Sequence, residues 1–326
     1  MTVDNWWNGR RVLITGATGL LGSAMAADLL RRGAQVTALV RDHDPQSELI
    51  RSGIIRKVTV VQGALEDYAS VERAINENDC ETVFHLGAQT IVGTALRSPL
   101  ATFEANIRGT YHVLEACRTH QKLVQRIVIA SSDKAYGSSD ILPYTEKHPL
   151  SGRHPYDVSK SCTDMLAAAY AHTYQLPVGI LRCGNIYGGG DLNWSRIVPG
   201  TIRSLLENKA PIIRSDGKFL RDYIYVQDVV DAYLLFARRL EEPGMPGEAL
   251  NISPEKASSV LDIVDLIREI MGRTSIEPVI LNQASAEIRD QYLDCQRAKT
   301  VLGWRPKYTL QQGLEATVSW YEDYLR

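Results

Sequence analysis

No apolar run in this 326-residue chain approaches the roughly 20 residues a membrane-spanning helix needs. Blocks of like charge are missing too. The 36 Lys and Arg face 38 Asp and Glu, for a formal net charge of −2. That balance argues against a nucleic-acid or membrane-surface protein, both of which need a clustered basic face. The five cysteines (Cys80, Cys117, Cys162, Cys183, Cys295) are odd in number and scattered, with no short zinc or redox spacing. They read as reduced thiols in a cytoplasmic protein. The seven histidines show no metal-ligand spacing, so no metal is expected. Repeats and low-complexity tracts are absent, and the opening "MTVDNWWNGRR" has no apolar core of a secretion signal. The remaining composition, 44% hydrophobic and 23% charged, is that of an ordinary globular protein with one large domain or two smaller ones.

Short β-branched runs alternate with longer amphipathic ones. Strands are expected at 10–15, 35–40, 57–63, 82–87, 126–131, 177–185 and 248–253. Most are nearly continuous apolar runs, as in strands covered on both faces. Helical spacing marks 20–32, 101–119, 156–174 and 260–272. The alternation predicts an α/β fold with a doubly wound parallel sheet of the Rossmann type. After residue 185 the pattern changes, and a smaller C-terminal domain made of interleaved pieces is expected. The boundaries are 1–181 with 224–252, and 182–223 with 253–326.

"VLITGATGLLGSAMAADLL" sets Gly16, Gly19 and Gly22 between the first strand and the first helix. Gly16 permits the turn, Gly19 lets backbone approach a pyrophosphate, and Gly22 lets helix pack on strand. The helix start at Leu20 and Leu21 then offers free N–H groups and a positive dipole end. The second strand ends "TALVRDHD", with Val40 where an acid would bind the ribose hydroxyls. Arg41 suits the 2′-phosphate of NADP and Asp42 the hydroxyls of NAD; the reading leans to NAD.

"HPYDVSKSCTDML" holds Tyr156 and Lys160 four apart, on one helix face. The lysine charge should lower the phenol pKa, so that Tyr156 takes an alcohol proton while hydride leaves for nicotinamide. Ser132, at the end of the strand "RIVIAS", is placed to hydrogen-bond the same hydroxyl. Ser131 reads as structural. His85, inside "VFHLG", reads as core, and Trp6, Trp7, Trp194 and Trp304 as packing anchors.

At these residues the chain resembles the extended short-chain dehydrogenases/reductases, the nucleotide-sugar epimerases and dehydratases. The resemblance runs nearly end to end: "TGATGLLG", "VFHLGAQ", "NIRGT", "SSDKAYG", "YDVSK", "RCGNIYGGGD", "RDYIYVQD" and "KTVLGWRP". It implies a cytoplasmic enzyme that binds a nucleotide-diphosphate sugar in the C-terminal domain. It places Leu86, Gly87, Ala88 and Gln89 under the cofactor and gives Asn106 a supporting role through backbone contacts. Relatives carry an acid near adenine after the third strand; here the stretch is "GAL", with Ala64 in that position and Leu65 beside it.

Relatives that dehydrate dTDP-glucose place Asp-Glu after the catalytic hydroxyl. This chain has Asp133-Lys134, which resembles the CDP-glucose 4,6-dehydratase branch. The resemblance implies β-elimination: C4 is oxidised, a base takes the C5 proton, an acid protonates O6, and hydride returns to C6. Asp133 is the expected acid and needs a raised pKa. Lys134 is either the base, if its pKa is lowered, or an electrostatic stabiliser of the enolate. Asn185, Arg196, Arg221 and Arg289 are the expected contacts to the diphosphate sugar. Asp228 is expected to cap a helix. The alternatives are a C4 epimerase using Ser132, Tyr156 and Lys160 alike, and a non-catalytic cofactor-sensing protein. Relatives pair through helices corresponding to 101–119 and 156–174, which implies a homodimer.

Overall fold

In a computed structural model, residues 5–283 and 287–326 are described. The strands are β1 (Arg11–Thr15), β2 (Gln35–Val40), β3 (Thr59–Gln62), β4 (Thr82–His85), β5 (Arg126–Ser132), β6 (Val178–Cys183), β7 (Asn185–Tyr187), β8 (Ile212–Ile213), β9 (Leu220–Tyr225), β10 (Ala249–Ile252), β11 (Ala257–Ser259) and β12 (Val279–Ile280). Seven of them form one parallel sheet in the order β10-β6-β5-β4-β1-β2-β3. The order reverses between β1 and β4, and ligands of open α/β sheets sit at the carboxyl ends of strands beside such a reversal.

Alternation along the strands divides the core. Val12, Ile14, Val128 and Leu181 face a cluster with Trp7, Met25, Leu29, Phe84, Tyr233 and Phe236. Leu13, Val83, Ile127, Ile129 and Ile180 face the other side, against Val113, Leu114 and Ala167. Both faces are covered by helices, which is why these strands read as unbroken apolar runs. A third cluster joins Tyr187, Ile202, Tyr223, Ile263, Ile267, Leu314 and Val318 outside the sheet.

Two expected elements are divided. The apolar run 177–185 is not one strand. β6 stays in the large sheet, and after Gly184 the chain crosses to a second sheet, ordered β11-β9-β7. A side chain at Gly184 would meet Cβ of Asp222 at 2.9 Å, so the crossing needs its absence. The helical stretch 101–119 carries a π turn at Glu104–Arg108 between Pro99–Phe103 and Gly109–Thr119. A π turn adds one residue and frees backbone groups from the regular ladder. Here the carbonyl of Asn106 is taken up by the hydroxyls of Thr110 at 2.5 Å and Thr163 at 3.1 Å.

Asp228 does not cap a helix. The helix Val226–Arg239 has no side-chain cap, and Asp228 lies within its first turn. Its carboxylate instead accepts from the backbone N–H groups of Lys307 at 2.7 Å and Tyr308 at 3.3 Å. Those N–H groups lie in an irregular segment with no ladder partner, and a buried carboxylate satisfies them.

Candidate active site

β5 delivers the first group. Ser132 ends the strand and caps the 3₁₀ turn Asp133–Tyr136, accepting from Lys134 N–H at 3.2 Å. The Ser132 hydroxyl donates to Asp133 Oδ1 at 2.9 Å. Asp133 is buried, and its Oδ2 has no partner among the described residues. Burial raises its pKa, against the charges of Lys134 and Arg221 and the Ser132 hydrogen bond.

Helix Pro155–Tyr174 delivers the second pair. The Lys160 ammonium donates to the carbonyl of Ala130, two residues before Ser132, at 2.7 Å. Burial lowers its pKa to about 8. The Tyr156 phenol is not depressed as the sequence predicts. Burial pushes it up to about 12, while Arg196 and the neighbouring Ser132 side chain act the other way. Desolvation dominates, and the Lys160 head group is turned to the strand carbonyl of Ala130.

Lys134 is the third element. Burial lowers its pKa; Asp133, Asp157 and Glu287 oppose the shift and Arg221 adds to it. Its ammonium donates to Gln291 Oε1 at 2.5 Å. The sequence offered no signal for Gln291. It is far along the chain and belongs to no motif, and an isolated bridge between Arg221 and Gln291, with the Arg221 contacts to the same loop, brings it in.

The glycine loop has the expected form. Gly16 sits at φ +71°, and a Cβ there would lie 2.7 Å from Cα of Gly87. Helix Leu20–Arg31 starts at Gly19 with no side-chain cap. A Cβ on Gly19 would meet only the carbonyl of Gly16, at 3.4 Å. The open hollow and uncapped N–H groups fit the pyrophosphate of a dinucleotide. Thr15, unnoticed in the sequence, accepts from the N–H groups of Leu86 and Gly87, both at 3.1 Å, and fixes that loop. His85 is core: it bonds Thr15 and Thr110, and burial drops its pKa to about 3.

Asn106, carried by the π turn, grips Gln89 from both sides. Its Oδ1 accepts from Gln89 N–H at 2.7 Å, and its Nδ2 donates to the Gln89 carbonyl at 3.0 Å. Leu65 packs where a Cβ on Gly87 or Gly109 would fall. Arg41 and Asp42 are exposed and paired with each other at 2.6 Å.

The candidate substrate contacts differ in readiness. The Nδ2 of Asn185 is buried without a partner among the described residues. Arg196 bonds Asp191 at 3.0 Å and reaches Thr90 at 3.4 Å. Arg221 is buried and spends its guanidinium on the carbonyls of Leu220, Ile288 and Arg289. It braces the loop that carries Gln291. The Arg289 residue is exposed, and its carbonyl is what Arg221 holds. No group of His, Cys, Asp and Glu among the described residues could hold a metal ion. All five cysteines are free. No described helix is long and apolar enough to cross a membrane.

A family model described as GDP-mannose 4,6 dehydratase matches residues 13–317. The chain is 30% identical over 342 residues to a CDP-glucose 4,6-dehydratase of Salmonella typhimurium, covering all of this chain and 94% of the relative. Two solved structures are similar. One is UDP-glucose 4-epimerase of Thermotoga maritima with UDP-glucose, at TM-score 0.87 and 29% identity, covering 97% of this chain and 100% of the other. The second is dTDP-glucose 4,6-dehydratase of Bacillus anthracis with NAD, at TM-score 0.85 and 27% identity, covering 97% of each chain.

Proposed function

The chain belongs to the GDP-mannose 4,6 dehydratase family of extended short-chain dehydrogenases/reductases, and from that premise we propose that it is an NAD-dependent nucleotide-sugar 4,6-dehydratase. The observation that carries the reading is the buried Asp133–Lys134 pair beside Ser132. Burial drives both members toward their uncharged forms. A neutral carboxyl can give a proton to O6, and a neutral amine can take one from C5.

Bound NAD would accept hydride from C4 and return it to C6. Tyr156 removes the C4 hydroxyl proton, and Ser132 orients that hydroxyl. Lys160, on the same helix face as Tyr156, is the cation that would favour the phenolate against the burial that raises the phenol. Once C4 is a ketone, Lys134 takes the C5 proton and the C–H electrons form the C5–C6 double bond. The C6–O bond breaks as Asp133 protonates the leaving oxygen, and water departs. Lys134 then returns a proton to C5. Tyr156 releases its proton to solvent, and solvent reprotonates Asp133.

Gly16, Gly19, Leu20, Leu21 and Gly22 hold the pyrophosphate. Leu65 and 86–89 line the cofactor, with Asn106 fixing Gln89. Asp42 faces the ribose; its ion pair with Arg41 competes with any 2′-phosphate, which favours NAD over NADP. The sugar nucleotide lies against Asn185, Arg196, Arg221 and Arg289, in the domain formed by 182–223 and 253–326. Likeness to the Salmonella enzyme makes CDP-glucose the first substrate to try. A homodimer would pair through the helices within 101–119 and 156–174, where Tyr111 and Met165 are exposed.

The test is incubation with CDP-, UDP- and dTDP-glucose and GDP-mannose in heavy water, with product masses recorded. Loss of water with gain of one deuterium supports the dehydratase. The likeness to the Thermotoga epimerase favours one second reading, a C4 epimerase. Its sign is unchanged mass with inverted C4 by NMR. Neither product from any of the four sugars would overturn both readings.

A further inference from the structure

Gln291 is fully buried, and its amide has two ends with different fates. Oε1 accepts from the Lys134 head group at 2.5 Å, while Nε2 has no partner among the described residues. An amide is a neutral acceptor. A carboxylate in its place would hold lysine as an ammonium. The orientation matters as well. With Oε1 facing Nζ, a neutral amine donates one N–H to the amide and keeps its lone pair free. With Nε2 facing it, the amide would donate into that lone pair and occupy it.

We propose that Gln291 is the positioning residue that lets Lys134 serve as a base, by fixing the amine through a neutral acceptor. The inference rests on the reading of Lys134 as the C5 base. The backbone braces of Arg221 set the height of Gln291: its guanidinium holds the carbonyls of Ile288 and Arg289, and Gln291 N–H bonds the carbonyl of Leu220 at 3.0 Å. The charged groups facing Lys134 are Asp133 on its own turn, Asp157 on helix 155–174, Arg221 on β9 and Glu287 on the C-terminal loop. Three of these are acids that favour the ammonium. A neutral residue at 291 keeps a fourth negative charge away from the closest position.

Two variants test this. Gln291→Glu places a carboxylate against Nζ and should move the limb of kcat that rises with pH toward alkaline pH by about one to three units. Gln291→Met keeps the volume and removes the acceptor. It should slow C5 deuterium exchange roughly 10- to 100-fold, with KM and the reduction of cofactor on sugar binding unchanged. Competitive acetylation of Lys134 against pH, read by peptide mass, titrates the amine with no sugar present. It should show the same alkaline shift in Gln291→Glu. If neither the labelling curve nor the pH profile moves while wild type dehydrates, the inference about Gln291 is overturned. If wild type shows no C5 exchange, the reading of Lys134 as base fails instead. The labelling shift in Gln291→Glu would then still establish that residue 291 sets the charge of the lysine.

Discussion

Lys160 and Lys134 are both buried, and burial lowers the pKa of each. They are held in different ways. Lys160 bonds a backbone carbonyl of β5, a partner that any side chain at position 130 would supply. Lys134 bonds the side chain of Gln291, delivered by a loop outside the large sheet. The oxidising half of the proposed chemistry is therefore built from the regular sheet and the helix packed on it. The eliminating half depends on one turn and one distant loop meeting. The first should resist loop changes and the second should not.

The largest expected effect separates the two lysine regions directly. Tyr156→Phe should lower turnover by about 10³-fold, within the range for loss of a proton-transfer group. No reduced nicotinamide should appear when sugar is added. Lys134→Met should lower dehydration by about 10²-fold, yet reduced nicotinamide should accumulate, because C4 is still oxidised. Absorbance during a single turnover distinguishes them. Equal loss of reduced cofactor in both variants would break the comparison.

Buried titrating groups sharpen it further. Between about pH 3 and 6.5, His85 stays neutral in the folded protein while the unfolded chain binds a proton, so it makes stability rise with pH. Asp222, in β9, is raised from 3.8 to about 6, first by burial. Between about pH 4 and 6 the folded protein holds a proton that the unfolded chain has released. Stability therefore falls as pH rises through that window, by about 3 kcal/mol for two pKa units. Asp222→Asn should remove that fall and leave the rise from His85, seen as a curve of Tm against pH that climbs more steeply between 4 and 6 than in the wild type. An unchanged slope would mean that Asp222 is ionised in the folded state.

The smallest expected effect tests the sheet side. Asn106→Ala leaves the N–H and carbonyl of Gln89 without the amide that holds them. It should cost about 1–3 kcal/mol, the range for a buried polar group left unpaired, read as a lower denaturation midpoint. An unchanged midpoint would show that water replaces the amide.

The two halves were also unequally legible. The strands of the large sheet were readable because burial on both faces leaves unbroken apolar runs, and the glycine loop because its geometry demands glycine at Gly16. Tyr156 and Lys160 were readable because helical spacing places i and i+4 together. The second sheet was not. β7 and β11 have three residues each, too few for a period, and the crossing at Gly184 lies inside an apolar run. The π turn left no mark, since one extra residue does not disturb amphipathic spacing enough to see. Asp228 misleads because an acid in a first turn looks like a cap, while its partners lie about 80 residues away. Gln291 was invisible for the same reason.

The contact between Lys134 and Gln291 spans 157 positions. During synthesis a chain emerges at about 5–20 residues per second and folds from its N-terminal side first. The strands around β5 are therefore out of the ribosome well before the glutamine. A nascent chain has its lysine buried or waiting for many seconds without its acceptor, so this contact closes among the last. A ribosome stalled before residue 291 would display a sheet with its glycine loop complete and its acid–base turn unfinished.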